Sequence, residues 1–127
     1  MFTLQTAIGV GMQCLQALQE LHNAGYIHRD VKPANSATGR PEMNEQRKIY
    51  LLDFGLCRRY VDSSGRLKSP RRKGHFRGTV RYASLHCHAH KESARRDDVE
   101  AWMYMQIENT NGKLPWSGQP NHTEVEM

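Results

Sequence analysis

Four polar side chains sit close together in the segment His28-Arg29-Asp30-Val31-Lys32-Pro33-Ala34-Asn35 and its sequel Asp53-Phe54-Gly55. Asp30 is a carboxylate able to accept a proton from a hydroxyl, and Lys32, two residues on, is a cation able to hold a transferring phosphate. Asn35 and Asp53 are hard oxygen donors of the kind magnesium takes, few in number and supplemented by water. Phosphoryl transfer needs little covalent help from a protein. It needs positioning and charge stabilisation, and this set of side chains can supply both.

The elements that must position these groups are legible in the hydropathy pattern. Residues 3–24 read as a helix, with Leu4, Ala7, Ile8, Met12, Leu15, Leu18 and Leu21 forming an apolar stripe at helical spacing. Thr3 suits the N-cap and Gly25 the stop. Gly9 and Gly11 weaken the middle by about 1 kcal/mol each against Ala, unless their small size lets another element approach. The stripe is expected to be core. Tyr26-Ile27 is a short apolar step into His28. Residues 36–47 read as a loop, Lys48 to Leu52 as a buried strand ending at Asp53, and 57–80 as a long polar loop broken by Gly65, Pro70, Gly74 and Gly78. A helical pattern resumes over 97–108 and Gly112 ends it. Residues 117–127 are expected to fray.

Composition narrows the class. The 127 residues are 38% hydrophobic and 24% charged, with a formal net charge of +5. That fits one modest globular domain rather than a disordered tail. No apolar run approaches the ~20 residues that span a bilayer, and the first basic residue is Arg29, so no secretory signal is expected. Three cysteines, widely spaced, argue for free thiols rather than a disulfide framework. An intracellular location is expected, cytoplasmic with the nucleus as the alternative. Residues 58–81 hold nine Lys/Arg and one acid, Asp62, a charge of +8 against −3 for the rest. Such a stripe can attract nucleic acid, acidic peptide or phosphate, or simply be solvated. Aromatic residues are sparse within it, which disfavours a nucleic-acid platform.

The two motifs resemble the catalytic loop and the magnesium-binding D-F-G of eukaryotic protein kinases. Gly78-Thr79-Val80-Arg81-Tyr82-Ala83-Ser84, Arg95-Arg96-Asp97-Asp98 and Leu114-Pro115-Trp116 are similar to segments of the casein kinase 1 group. The wording from Phe76 to Ser84 looks most like the tau-tubulin kinases. The resemblance covers Phe2 to Trp116 and implies an ATP-dependent Ser/Thr protein kinase using Mg2+. It implies Asp30 as catalytic base, Lys32 on the γ-phosphate, Asn35 and Asp53 on magnesium, and Thr79 bonded near Asp30 and Lys32. His28, Phe54, Gly55 and Asp98 would be structural, with Asp98 bracing the catalytic-loop backbone. Arg29 and Arg81 could form an anion pocket, suited to an acidic or phosphate-primed protein substrate.

Departures from the family pattern matter equally. The Gly-rich loop, the strand lysine, its helix glutamate partner and the adenine-binding hinge have no counterpart here. The expected fold is therefore α+β, mainly helical, a partial large lobe without the small lobe. The 127-residue chain alone is expected to be inactive. A non-catalytic fragment, a binding module or an incomplete gene model is the alternative. Ser36 replaces the usual Phe after the catalytic Asn, and Gln106, Glu108, Asn109 and Thr110 are polar for a buried helix. His86, His88 and His90 would share a face on a strand and could suggest zinc, but a polar loop is the simpler reading.

Overall fold

Two long helices cross and everything else is hung on them. The computed structural model describes residues 2–71 and 75–118. Helix α1 spans Leu4–Asn23, with the Thr3 side chain accepting the Thr6 N–H and Gly25 following at φ 94°. Strand β1 (Tyr26–Ile27) and a 3-10 turn at Pro33–Asn35 lead to β2 (Ser36–Thr38), β3 (Ile49–Leu51) and β4 (Arg58–Arg59). A short helix α2 (Leu85–His88) precedes α3 (Arg95–Asn111). The strands form two antiparallel ribbons, β1 with β4 and β2 with β3, the latter with Ser36 opposite Leu51.

The stripe of α1 divides differently from the sequence expectation. Its buried members are Ala7, Gly11, Cys14 and Leu18, whereas Leu4, Ile8 and Met12 face outward. Size is the reason. At Gly11 and Ala7 the α3 helix comes so close that Trp102 Nε1 donates to Gly11 O (2.8 Å) and Gln106 Nε2 donates to Ala7 O (2.8 Å). Any side chain at Gly11 would collide with the Gln106 carboxamide. The polar second half of α3 is explained by the same contacts. Gln106 bonds α1, Glu108 accepts from Tyr82 Oη (2.6 Å), and Asn109 O accepts the Phe2 N–H.

The core proper gathers Leu18, Val31, Tyr82, Ala101 and Leu114, flanked by Leu51, Trp102, Tyr104 and Trp116. Burying a side chain such as Leu18 contributes about 1.5–3 kcal/mol. Burial first, then the bond to Glu108, pushes the Tyr82 hydroxyl up to about 12.

Several sequence expectations change, and the stretch 36–47 contains β2 rather than loop alone. The α3 helix runs from Arg95 to Asn111, longer than 97–108, because the Asp97 carboxylate accepts the Ala94 N–H (2.6 Å) and secures an extra turn. The stretch 57–80 is not one loop: it contains β4 and a bridge between Val61 and Leu67, and Arg72, Lys73 and Gly74 lie outside the described residues. His86 and His88 lie on the short helix α2 rather than in the polar loop expected there, and no group of three metal-ligating side chains occurs among the described residues. Of the expected frayed tail, Ser117 is tied into a turn with Leu114, and 119–127 lie outside the described residues.

Gly9 and Gly11 should respond oppositely to substitution. Nothing lies within 4 Å of a Cβ at Gly9, so Gly9→Ala should stabilise by about 0.5–1 kcal/mol. Gly11→Val should destabilise by about 1–3 kcal/mol through overpacking. Urea denaturation checks both, and equal effects would remove the close approach of α1 and α3 as the cause.

Candidate functional site

The site begins where α1 ends. After Gly25 the chain enters β1 and delivers His28, which is fully buried. Its Nε2 lies 2.9 Å from Leu52 O and its Nδ1 lies 3.1 Å from the Asp30 N–H. Those two bonds together require the tautomer with its proton on Nε2. The Phe54 ring meets the imidazole edge-on at 5.6 Å. The strand end carrying Leu52 is thus locked to the loop carrying Asp30.

Arg29 adopts φ 70°, a left-handed backbone that costs a non-glycine residue free energy. Asp98, on the first turn of α3, offsets it. Its Oδ1 accepts the Arg29 N–H (2.9 Å), its Oδ2 accepts the His28 N–H (2.8 Å), and His22 Nε2 lies 2.7 Å from the same Oδ2. The Arg29 side chain turns the other way and donates from Nε to Leu56 O (2.5 Å). Gly78, at φ 105°, lies against this turn: a Cβ there would be 2.6 Å from Arg29 O.

Side chains then converge on Asp30. Thr79 Oγ1 donates to Asp30 Oδ1 (2.8 Å) and accepts from Lys32 Nζ (2.7 Å). Asn35 Nδ2 donates to Asp30 O (2.8 Å) and to Asp30 Oδ2 (3.2 Å). Lys32 Nζ lies 3.7 Å from Asp30 Oδ2. The Asn35 side-chain contacts use Nδ2 and its backbone carbonyl accepts the Leu52 N–H, so the side-chain Oδ1 is the atom available to a hard cation. Asp53, at φ 58°, accepts the Gly55 N–H through Oδ1 (3.1 Å) and is exposed. Ser36, unusual after such an Asn, closes the turn by donating to Pro33 O (2.9 Å).

Not every sequence-predicted pairing is seen. Arg29 lines a basic cleft with Arg58, Arg71, His75, Arg77 and Lys91. Arg81 is not among its lining residues, and its Nη2 lies 3.3 Å from Ser117 O. Burial lowers the Arg29 pKa, and the cations Arg77, Arg58 and Arg71 lower it further. Burial and then Arg71 do the same for Arg58. Both remain charged at neutral pH. Burial, followed by the Asp98 charge, raises the Cys57 thiol. Sequence reasoning missed His22, whose signal was a polar residue in the last turn of an apolar helix. It also missed Ser84, whose Oγ donates to Asp97 Oδ1 (2.6 Å), and Glu92, which faces the basic run from 20 residues away or more.

This arrangement can be compared with known proteins. The family model described as "Protein kinase domain" matches residues 1–127. The chain belongs to the protein kinase family. A probable serine/threonine-protein kinase of Dictyostelium discoideum is 45% identical over 117 residues, covering 91% of this chain and 23% of the relative. The serine/threonine-protein kinase spe-6 of Caenorhabditis elegans is 40% identical over 127 residues, 98% of this chain and 33% of the relative. Casein kinase I homolog 2 of Saccharomyces cerevisiae is 36% identical over 126 residues, 97% of this chain and 23% of the relative. The kinase chain thus spans a third or less of the length of these three relatives. None of its described helices is long and apolar enough to cross a membrane.

In this kinase chain Asp98→Ala leaves two backbone N–H groups without their acceptor, at a cost of about 1–3 kcal/mol each. The expected result is a loss of about 3 kcal/mol or more, read by chemical denaturation. A loss under about 0.5 kcal/mol, the size of an ordinary surface change, would show that another group can brace His28 and Arg29.

Proposed function

We propose that this chain, residues 1–127, is the large-lobe portion of an ATP-dependent Ser/Thr protein kinase of the casein kinase 1 group, nearest the tau-tubulin kinases. One observation carries the reading: Thr79, Lys32 and Asn35 all address the Asp30 carboxylate, each within hydrogen-bond reach of Asp30 or of one another.

In this reading Asp30 accepts the proton of the substrate hydroxyl as the hydroxyl oxygen bonds to the γ-phosphorus of ATP, the bond from that phosphorus to the bridging oxygen breaks and ADP leaves. The Thr79 and Asn35 bonds orient its two oxygens, so that a base within reach of the hydroxyl is held in one rotamer. Lys32 Nζ bridges Thr79 and the space beside Asp30, where it can follow charge developing on the transferring phosphoryl group. The donor set fits magnesium: the Asn35 side-chain Oδ1 and the exposed Asp53 carboxylate are hard ligands, few enough to leave room for water and nucleotide phosphates. Bound magnesium neutralises phosphate charge. Asp98 acts through the backbone of His28 and Arg29 and is a positioning residue.

The basic cleft beside the site favours an acidic or phosphate-primed protein substrate, since guanidinium groups pair well with oxyanions. The sequence similarity of Arg81 to the casein kinase 1 segment keeps it a second candidate for that contact. Three free cysteines fit a reducing, intracellular setting, cytoplasmic in this reading.

Two measurements test the proposal. In a protein carrying this segment within a complete kinase domain, Asp30→Asn should lower phosphate transfer at least ~100-fold, within the usual range for removing a general base. Wild-type turnover at equal purity would take Asp30 out of the base role. The 127-residue chain alone should give no transfer to a mixed peptide library in the presence of Mg-ATP, because the groups that hold nucleotide in kinases lie in part outside these residues. Transfer abolished by Asp30→Asn would show that this stretch suffices.

A further inference from the structure

Two cavities meet behind Arg29. The larger, about 450 Å³, has an apolar floor that includes Ile27, Tyr60 and Leu67. The smaller is the basic cleft that contains Arg29 and Arg77. Arg58, Arg71, Lys91, Glu92 and Ser93 line both. Glu92 is the one carboxylate among the described residues lining either cavity. Its side chain is 15% exposed. It forms an ion pair with Arg58, its Oε1 lies 3.5 Å from Arg71 Nε, and its Oε2 accepts the Arg71 N–H at 2.6 Å.

The charge balance there is uneven. Arg29, Arg58, Arg71 and Arg77 press on one another closely enough that Arg71 lowers the pKa of both Arg29 and Arg58. Among the described lining residues a single carboxylate stands beside four guanidinium groups and pairs with two of them, Arg58 and Arg71. Its two oxygens meet two guanidinium groups and one backbone N–H, the donor set that a tetrahedral oxyanion would use. A phosphoryl group carries close to two charges and three acceptor oxygens, so it would satisfy these donors better than a carboxylate does.

We propose that Glu92 is the resident occupant of an oxyanion site built by Arg58 and Arg71, and that it sets specificity by competing with the phosphoryl group of an incoming substrate. The proposal rests on the reading that the protein acts on acidic or phosphate-primed substrates. Glu92 then has two effects. It holds Arg71 against the approach to α3 when no anion is bound. It also raises the threshold for anions, so that a weak monoanion fails to displace it and a dianion succeeds.

The test is sulfate binding to the 127-residue chain, a dianion at neutral pH, followed by NMR of arginine Nε–H signals at constant ionic strength with chloride as the control. Wild type should bind weakly. Glu92→Gln should bind sulfate about tenfold more tightly, because a charged competitor for the same donors is gone. Adding Arg71→Ala to that variant should return affinity to the wild-type level or below. Glu92→Asp, too short to span both arginines, should also bind more tightly than wild type, and it carries the test if the Gln variant does not fold. Saturable binding of equal strength in wild type and both variants would overturn the role of Glu92 while leaving an anionic substrate in play. No saturable binding in any variant would overturn the oxyanion site itself, and with it the reading of this cleft as the substrate's anion contact.

Discussion

The arrangement depends on one buried carboxylate. Asp98 is buried, and it accepts the amides of His28 and Arg29 and meets the His22 ring, so both of its oxygens have partners. A carboxylate buried without such donors would be strongly destabilising, and these contacts are what make its position tolerable. The reverse dependence is equally strong. Arg29 holds a left-handed backbone, and Asp30 follows it directly. Asp98 holds the two backbone N–H groups that precede Asp30, and the His28 Nδ1 bond to the Asp30 N–H and the Asn35 bond to Asp30 O then set the direction in which Asp30 leaves the turn. Gly78 completes the clamp from the other side, where only a residue lacking Cβ can lie against Arg29 O.

Asp98 is where it is because of helix packing. It sits on the first turn of α3, and His22 sits on the last turn of α1. The two helices bring those turns together because Ala7 and Gly11 on α1 are small enough to admit Trp102 and Gln106. Asp97, beside Asp98, caps α3 through the Ala94 N–H and anchors Ser84, the residue before α2. Adjacent carboxylates therefore serve different ends, one bracing the Asp30 loop and the other joining α2 to α3.

Much of this was legible in the residues. The spacing of Asp30, Lys32 and Asn35 pointed to groups that the fold does bring together around Asp30, with Thr79, whereas the bond seen for Asp53 is to the Gly55 N–H. The ends of α1 were legible because Thr3 and Gly25 are local signals with a local cause. The buried face of α1 was less so. A pattern of large apolar residues marks what can be buried, whereas Gly11 and Ala7 are chosen by what approaches them, and that partner lies some 90 residues away. Glu92 was invisible for a similar reason. Its importance comes from Arg58 and Arg71, which the chain returns to it through a long excursion. The loop expected at His86 and His88 is instead a short helix because Ser84 supplies its cap, accepting the Cys87 N–H at 3.1 Å.

Electrostatics on the two sides of Arg29 are therefore opposite in sign and separately managed. Asp98 receives its backbone, and a cluster of cations, answered by Glu92, surrounds its side chain. The central claim is that the Asp98 clamp gives the Asp30 loop the stability of the helical core. Hydrogen–deuterium exchange resolved by NMR tests it most directly. The account predicts that the His28 and Arg29 amides exchange as slowly as buried amides in the middle of α1 and α3, through the same global opening. Exchange of those two amides at the rate of the exposed residues around Gly65, while the helices stay protected, would contradict it.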